Sequence, residues 1–172
     1  MSILVPAYNE AKVLASCFTG FQNLDYKNFE LILINDGSDD ETMKLLVDLL
    51  DLKEKVLQAK DKLAYNPVIR TFVSAAYPHV KVLDKVNGGK ADALNAGADY
   101  ASGDIIITLD ADSILQKNAL THINEALQDP NVIAGGGMVH VGQMYKKSKP
   151  SFKGNGLTRY QLSDYMLSFR SE

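Results

Sequence analysis

Two carboxylates stand one residue apart in Asp110-Ala111-Asp112, directly after an apolar run at 104–109. Like charges this close resist joint ionisation unless a cation sits with them. An oxygen-only donor pair suits a hard divalent ion, Mg²⁺ or Mn²⁺, completed by water and a substrate phosphate. If the acids continue a strand, alternation turns both to the same face. A lone Asp-x-Asp also describes a solvated turn, so its chemistry depends on what else is brought beside it. Three further stretches carry chemistry: Ala7-Tyr8-Asn9-Glu10, Asp36-Gly37, and Asn87-Gly88-Gly89-Lys90.

The elements that must position these residues follow from hydrophobic periodicity. Residues 2–7 read as a short strand closed by Pro6, and Asn9 is a suitable N-cap for a helix carrying Val13, Leu14, Cys17, Phe18, Phe21 and Leu24. Residues 29–37 read as a second, buried strand ending in an acid and a turn glycine. Ser38-Asp39-Asp40-Glu41 has the capping-box spacing, and a long amphipathic helix is expected through Met43, Leu46, Val47 and Leu50 toward Leu63. Asn66-Pro67 interrupts it. Residues 68–77 fit helix and strand equally, because short apolar runs defeat periodicity. Residues 80–83 are a third strand, 90–100 a helix and 104–109 a fully buried parallel strand. A helix over 117–127 stops before Pro130, and a fifth strand over 132–141 contains Gly135, Gly136 and Gly137. Alternating strands and helices predict an α/β fold: a Rossmann-like, mainly parallel sheet with helices on both faces. In such sheets ligands bind beyond the carboxyl ends of the strands, which is where every chemistry-bearing stretch falls.

Composition narrows the classes. A net charge of −3 lacks the positive field of a general nucleic-acid binder. The single cysteine, Cys17, excludes an internal disulfide and a Cys-based zinc site, and favours a reducing compartment. His79, His122 and His140 neither cluster nor join the motifs, and read as ordinary surface or core residues. No run is long enough to cross a bilayer. The abrupt start in a core strand and the uncapped end at Glu172 lead us to expect a piece of a longer protein. The first turn lacks the Gly-x-Gly-x-x-Gly of a dinucleotide site, and Glu10 there repels phosphate. Gly88-Gly89-Lys90 lacks Walker spacing. Phosphate must therefore be neutralised by Lys90 and a metal on Asp112, leaving the first turn and Asp36 to a base and ribose. The ligand so described is a nucleoside diphosphate, and the metal would stabilise charge on it as it leaves.

Together Val5-Pro6-Ala7-Tyr8-Asn9-Glu10, Asn35-Asp36-Gly37-Ser38-Asp39-Asp40, Gly88-Gly89-Lys90-Ala91-Asp92-Ala93-Leu94-Asn95 and Asp110-Ala111-Asp112 resemble a family 2 glycosyltransferase over nearly the whole chain. Within that family the Gly-Gly-Lys-Ala-x-Ala-Leu-Asn run and Arg159-Tyr160-Gln161 look like the processive synthases of cellulose, chitin, hyaluronan and poly-N-acetylglucosamine. The resemblance implies a GT-A-type fold, a UDP-sugar donor, Mg²⁺ or Mn²⁺, inversion at the anomeric carbon, a polysaccharide acceptor, and a membrane-embedded parent facing the cytoplasm. Carried over by position, Ala7 and Glu10 would line the nucleoside pocket and Asp36 would contact uracil or ribose. Lys90 would reach the base or diphosphate, Asp110 would face the nucleotide, and Asp112 would bind the metal.

One departure matters. Inverting transfer needs a general base, which in the family is a later carboxylate in a motif such as Thr-Glu-Asp. Neither this motif nor the Gln-x-x-Arg-Trp signature is present, and the chain has no tryptophan. Asp164 is the only late aspartate and falls on a predicted amphipathic helix over 157–169. The expected organisation is a truncated nucleotide-sugar-binding domain at 1–144, followed at 145–172 by a basic loop and helix leading toward the acceptor and base region. The basic loop, rich in Lys146, Lys147, Lys149 and Lys153, reads as a surface loop, a lid or a contact with anionic lipid. Such a donor half-site would turn over sugar poorly. The competing reading is a non-catalytic nucleotide-binding regulatory module. A sugar-phosphate nucleotidyltransferase would need a Gly-rich, Arg-containing first loop, which is absent.

Overall fold

The computed structural model describes residues 1–137 and two short strands at 145–146 and 149–150. Chain contacts separate a unit Met1–Ala126 from a unit Leu127–Glu172. The first unit is built on a six-stranded sheet. In chain order its elements are β1 (Ser2–Ala7), α1 (Leu14–Gln22), β2 (Glu30–Asp36), α2 (Thr42–Leu50), β3 (Leu52–Glu54), β4 (Val68–Ser74), β5 (Val80–Lys85), α3 (Lys90–Tyr100), β6 (Ile106–Thr108) and α4 (Ala119–Ala126). The spatial order is β3-β4-β5-β2-β1-β6. β5, β2, β1 and β6 run parallel, while β4 is antiparallel to both β3 and β5.

The central strands are apolar on both faces because helices cover both. Leu4, Ile32, Ile34 and Leu83 pack with Ala93 and Ala96 of α3. Ile3, Val5, Leu31, Leu33 and Val82 pack on the other side with Leu14, Phe18 and Phe21 of α1, Leu46 of α2 and Leu120 of α4. Alanines on α3 allow a close approach, and a Cβ added at Gly97 would sit 3.0 Å from Ile34 Cδ1. Phe18 meets Tyr77 edge-on, with ring centroids 4.8 Å apart. At the sheet end away from the strand carboxyl termini, Glu30 accepts from Ser2 Oγ at 2.5 Å and Lys81 Nζ at 2.6 Å, and from the amide and hydroxyl of Ser102.

Several local expectations are corrected. Asn9 does not cap α1: it adopts a left-handed φ of 59°, and the helix starts only at Leu14. The capping box does not form, since Ser38 accepts from the Asn9 amide and Asp40 accepts from the Thr42 amide instead. The long helix stops at Leu50, where Asp51 turns left-handed at φ 45°, and the chain enters β3. Periodicity failed there because Leu52 and its neighbours keep apolar spacing while joining the sheet. The ambiguous 68–77 segment is the strand β4. Its antiparallel course is possible because it reaches β5 through a short turn rather than a helical crossover. The strand over 104–109 is shorter and not fully buried. β6 pairs with β1, and Ile106 is 41% exposed, as befits a strand with one partner among the described residues. Residues 132–137 contain no strand, and 138–141 lie outside the described residues.

In the second unit, β7 (Tyr145–Lys146) and β8 (Lys149–Pro150) pair antiparallel, Tyr145 opposite Pro150. The rest of the basic loop, the helix expected at 157–169, His140 and Asp164 lie outside the described residues.

Candidate nucleotide-binding site

At the carboxyl ends of the strands lies a cavity of about 480 Å³ lined by Pro6, Ala7, Tyr8, Glu10, Asp36, Asn87, Gly89, Lys90, Asp110, Ala111 and Asp112. Every residue singled out from the sequence is among them: Ala7, Glu10, Asp36, Lys90, Asp110 and Asp112. The structure thus brings together groups more than a hundred positions apart in the chain.

The first loop is held by the second. Asn9 donates through Nδ2 to Asp39 Oδ1 at 2.6 Å, and its Oδ1 accepts from the amides of Asp39 and Asp40 at 3.0 and 3.3 Å. The Glu10 amide donates to Thr42 Oγ1 at 2.9 Å. Asparagine tolerates the left-handed backbone this cross-bracing needs. Gly37, at φ 68°, serves the same purpose one loop over, and a Cβ there would meet the Asn87 amide nitrogen at 2.7 Å.

Asp36 is buried and almost fully engaged. Its Oδ1 takes Lys85 Nζ at 2.7 Å and the Gly88 amide at 3.1 Å, and its Oδ2 takes the Gly89 amide at 2.8 Å. A carboxylate offers about four acceptor sites, so Asp36 retains room for about one ligand N–H or hydroxyl. Lys90 opens α3 just beyond Gly89, whose φ of 86° suits glycine. Its Nζ pairs with Asp110 Oδ1 at 2.5 Å, with the two side chains 61% and 55% exposed. Both remain open to solvent and to a charged ligand.

Asp110 and Asp112 do not extend the strand as alternation suggested. The Ser113 amide donates to the Asp110 carbonyl at 2.9 Å, closing a turn, and Ala111 is buried between the exposed acids. The turn still directs both acids to the cavity. Beneath it, burial and then the nearby Asp112 charge push the Cys17 thiol up to about 11, so it is an inert core group at neutral pH.

Among the described residues no three His, Cys, Asp or Glu side chains assemble as a ready-made metal cage. That donor set fits a Mg²⁺ or Mn²⁺ ion sharing one or two carboxylates with phosphate and water, and does not fit an all-protein calcium or zinc site.

Sequence reasoning did not single out Tyr8, Asn87 or Lys85. Tyr8 and Asn87 sit inside the quoted motifs. Lys85 had a visible signal, because a lysine ending an otherwise buried strand requires a counter-ion.

The sheet order, the helices on both faces and the acids at the strand ends define a GT-A-like fold, the class also seen in solved structures. A mannosyltransferase from Pyrobaculum calidifontis, solved with GDP-Man and Mn²⁺, superposes with a TM-score of 0.60 at 21% identity, over 76% of this chain and 33% of that one. S. aureus TarS 1-349 with UDP-GlcNAc superposes with a TM-score of 0.54 at 20% identity, over 74% and 31%. A family model described as glycosyl transferase family 2 matches residues 2–170, and the chain belongs to that family. Similar sequences include an uncharacterized glycosyltransferase of Haemophilus influenzae, 31% identical over 79% of this chain and 46% of its own. The poly-beta-1,6-N-acetyl-D-glucosamine synthase of Staphylococcus epidermidis is 29% identical over 69% and 23%. The hyaluronan synthase of Pasteurella multocida is 31% identical over 70% and 10%. The chain spans less than half the length of each of these relatives.

Proposed function

We propose that this chain is the donor-binding part of an inverting, metal-dependent glycosyltransferase that transfers a sugar from a UDP-sugar to a growing polysaccharide. The observation that carries the reading is the convergence of Ala7, Glu10, Asp36, Lys90, Asp110 and Asp112 on one cavity. Ala7 and Glu10 line the nucleoside end, and Asp36 accepts one donor from the uracil or ribose. Lys90 exchanges its partner Asp110 for the diphosphate, a swap that costs little because the pair is exposed. Asp112, with Asp110 facing the nucleotide, would hold the Mg²⁺ or Mn²⁺ ion. When bound, the ion neutralises the charge that builds on the leaving diphosphate.

Inverting attack also needs a base for the acceptor hydroxyl. The acids lining the cavity are already assigned to nucleotide and metal, so the base comes from a part of the parent beyond the donor site. The 172-residue chain is then expected to turn over UDP-sugars poorly or not at all. Processive polymer from this chain would contradict that. The relatives named as polysaccharide synthases support a polymer acceptor, and a parent held at the cytoplasmic side of a membrane belongs to the same proposal. Residues 1–144 make up the donor domain and 145–172 lead toward the acceptor region. No helix among the described residues is long and apolar enough to cross a membrane.

The test is calorimetry with UDP, with and without Mn²⁺, on the native chain and on Asp112→Ala. Metal-dependent binding that the substitution abolishes is the expected result. Equal affinity in both proteins removes the metal from the account. A regulatory nucleotide-binding module would bind equally well, but the full-length parent would then show no transfer.

A further inference from the structure

We propose that Lys85 is a positioning residue for the nucleotide site, holding Asp36 and Asp92 together so that the Asn87-Gly88-Gly89 turn presents Lys90 to the cavity. This deepens the nucleotide reading and rests on it for its consequence in binding, though not for its geometry.

Lys85 ends β5 directly opposite Asp36 in the parallel register, and both lie on the sheet face covered by α3. Its side chain is 0% exposed. The ammonium contacts Asp36 Oδ1 at 2.7 Å, Asp92 Oδ1 at 2.5 Å and the Val86 carbonyl at 2.6 Å. Asp92 stands in the first turn of α3. The Lys85 ammonium holds the Asp92 carboxyl below its ordinary range, despite some opposing burial. A lysine is hardly ever fully buried unless paired, and here one cation serves two acids. Without it, two carboxylates would face each other in a dry site.

A lysine that merely cemented the core would end its contacts there. This one does not, because the other side-chain hydrogen bonds of its two partners run to the turn or its support. Asp36 accepts from the amides of Gly88 and Gly89, the residues just before Lys90. Asn87 Nδ2 donates to the Asp36 carbonyl at 2.7 Å. Asp92 Oδ2 accepts from the Asn66 amide at 2.8 Å, and Asn66 Nδ2 returns to the Asn87 carbonyl at 2.8 Å. The buried ammonium is therefore the hub from which the turn is fixed on both sides. Lys85 and Asp92 do not line the cavity, so they act through Asp36 and the turn.

The test uses the whole chain and two independent readouts. Amide hydrogen exchange at Gly88 and Gly89, measured against Leu31 and Leu33 of β2 in the same molecule, reports the turn without any ligand. UDP affinity in Mn²⁺ reports the consequence. Lys85→Met strands two acids and risks unfolding, so Lys85→Met/Asp92→Asn, which removes one of those charges, is measured beside it. Leu46→Val, in the core on the opposite sheet face, controls for lost stability. Exchange at Gly88 and Gly89 is expected to quicken at least tenfold relative to β2 in the Lys85 variants and to keep its native ratio in Leu46→Val. UDP affinity is expected to fall at least fivefold in the former only. Native exchange ratios in both Lys85 variants, or an equal loss of affinity in Leu46→Val, would overturn the proposal. If the native chain binds no UDP, the nucleotide reading fails and the exchange ratios alone decide the role of Lys85.

Discussion

Under the proposed function, Lys90 and Asp110 are the pair that a bound nucleotide would part. Their contact is short but open to water, so it contributes about 0–1 kcal/mol to folding. Lys90→Ala is therefore expected to leave the melting temperature almost unchanged and to weaken UDP binding about tenfold, roughly 1.4 kcal/mol. Parallel thermal and calorimetric titrations check both halves. Asn9 behaves oppositely. Its side chain makes three hydrogen bonds to the second loop, its amide makes a fourth to Ser38, and its backbone is left-handed. Asn9→Ala should cost about 1–2 kcal/mol of stability through lost hydrogen bonds and backbone strain, read as a lower urea midpoint at unchanged slope. Most of the site was legible at this scale because strand ends are where apolar runs give way to Asp, Asn, Gly and Lys. What was illegible was the use of each side chain. Asn9 and Ser38 look like helix caps in one dimension, and only their meeting across 29 positions shows that they brace each other.

At the scale of elements, the sheet is fastened at the end opposite the cavity by Glu30. Burial alone would raise its carboxyl, but the Lys81 ammonium, the Ser2 hydroxyl and the Ser102 amide and hydroxyl overcome that and hold it at about 2. A depressed native value means this contribution is fully present above the ordinary value of 4.5 and is lost as pH falls toward about 2. Stability should therefore decline between those limits, and Glu30→Gln should flatten that part of the curve in denaturation series across acid pH. α3 offers a second check. Gly97 sits tightly against Ile34 and Leu4, so the branched side chain of Gly97→Val should destabilise by about 1–3 kcal/mol through overpacking. The parallel strands and α3 were readable from buried runs and small-residue helix faces. β3 and β4 were not, because three- to seven-residue strands at an open flank carry the same apolar spacing as a helix end. β6 read as buried because Ile105, Ile106 and Ile107 form a run, whereas its place at the edge of the sheet among the described residues is a property of the strand order.

For the molecule as a whole, the family and the fold are settled by the match over residues 2–170 and by the GT-A-like sheet. The specific activity rests on one physical claim: four strand ends deliver a lysine and a pair of acids to a single charged ligand. That arrangement divides the labour of transfer. Under the proposed function the donor would be bound within Met1–Ala126, where the cavity lies, and deprotonation of the acceptor would fall to a further part of the parent. The measurement that tests this most directly is a crystal structure of the chain grown with UDP and Mn²⁺. The account expects the diphosphate within ion-pair distance of Lys90, the manganese coordinated by Asp112, and the base or ribose donating to Asp36. A nucleotide seated outside this cavity, or a manganese ion bound without Asp112, would contradict it.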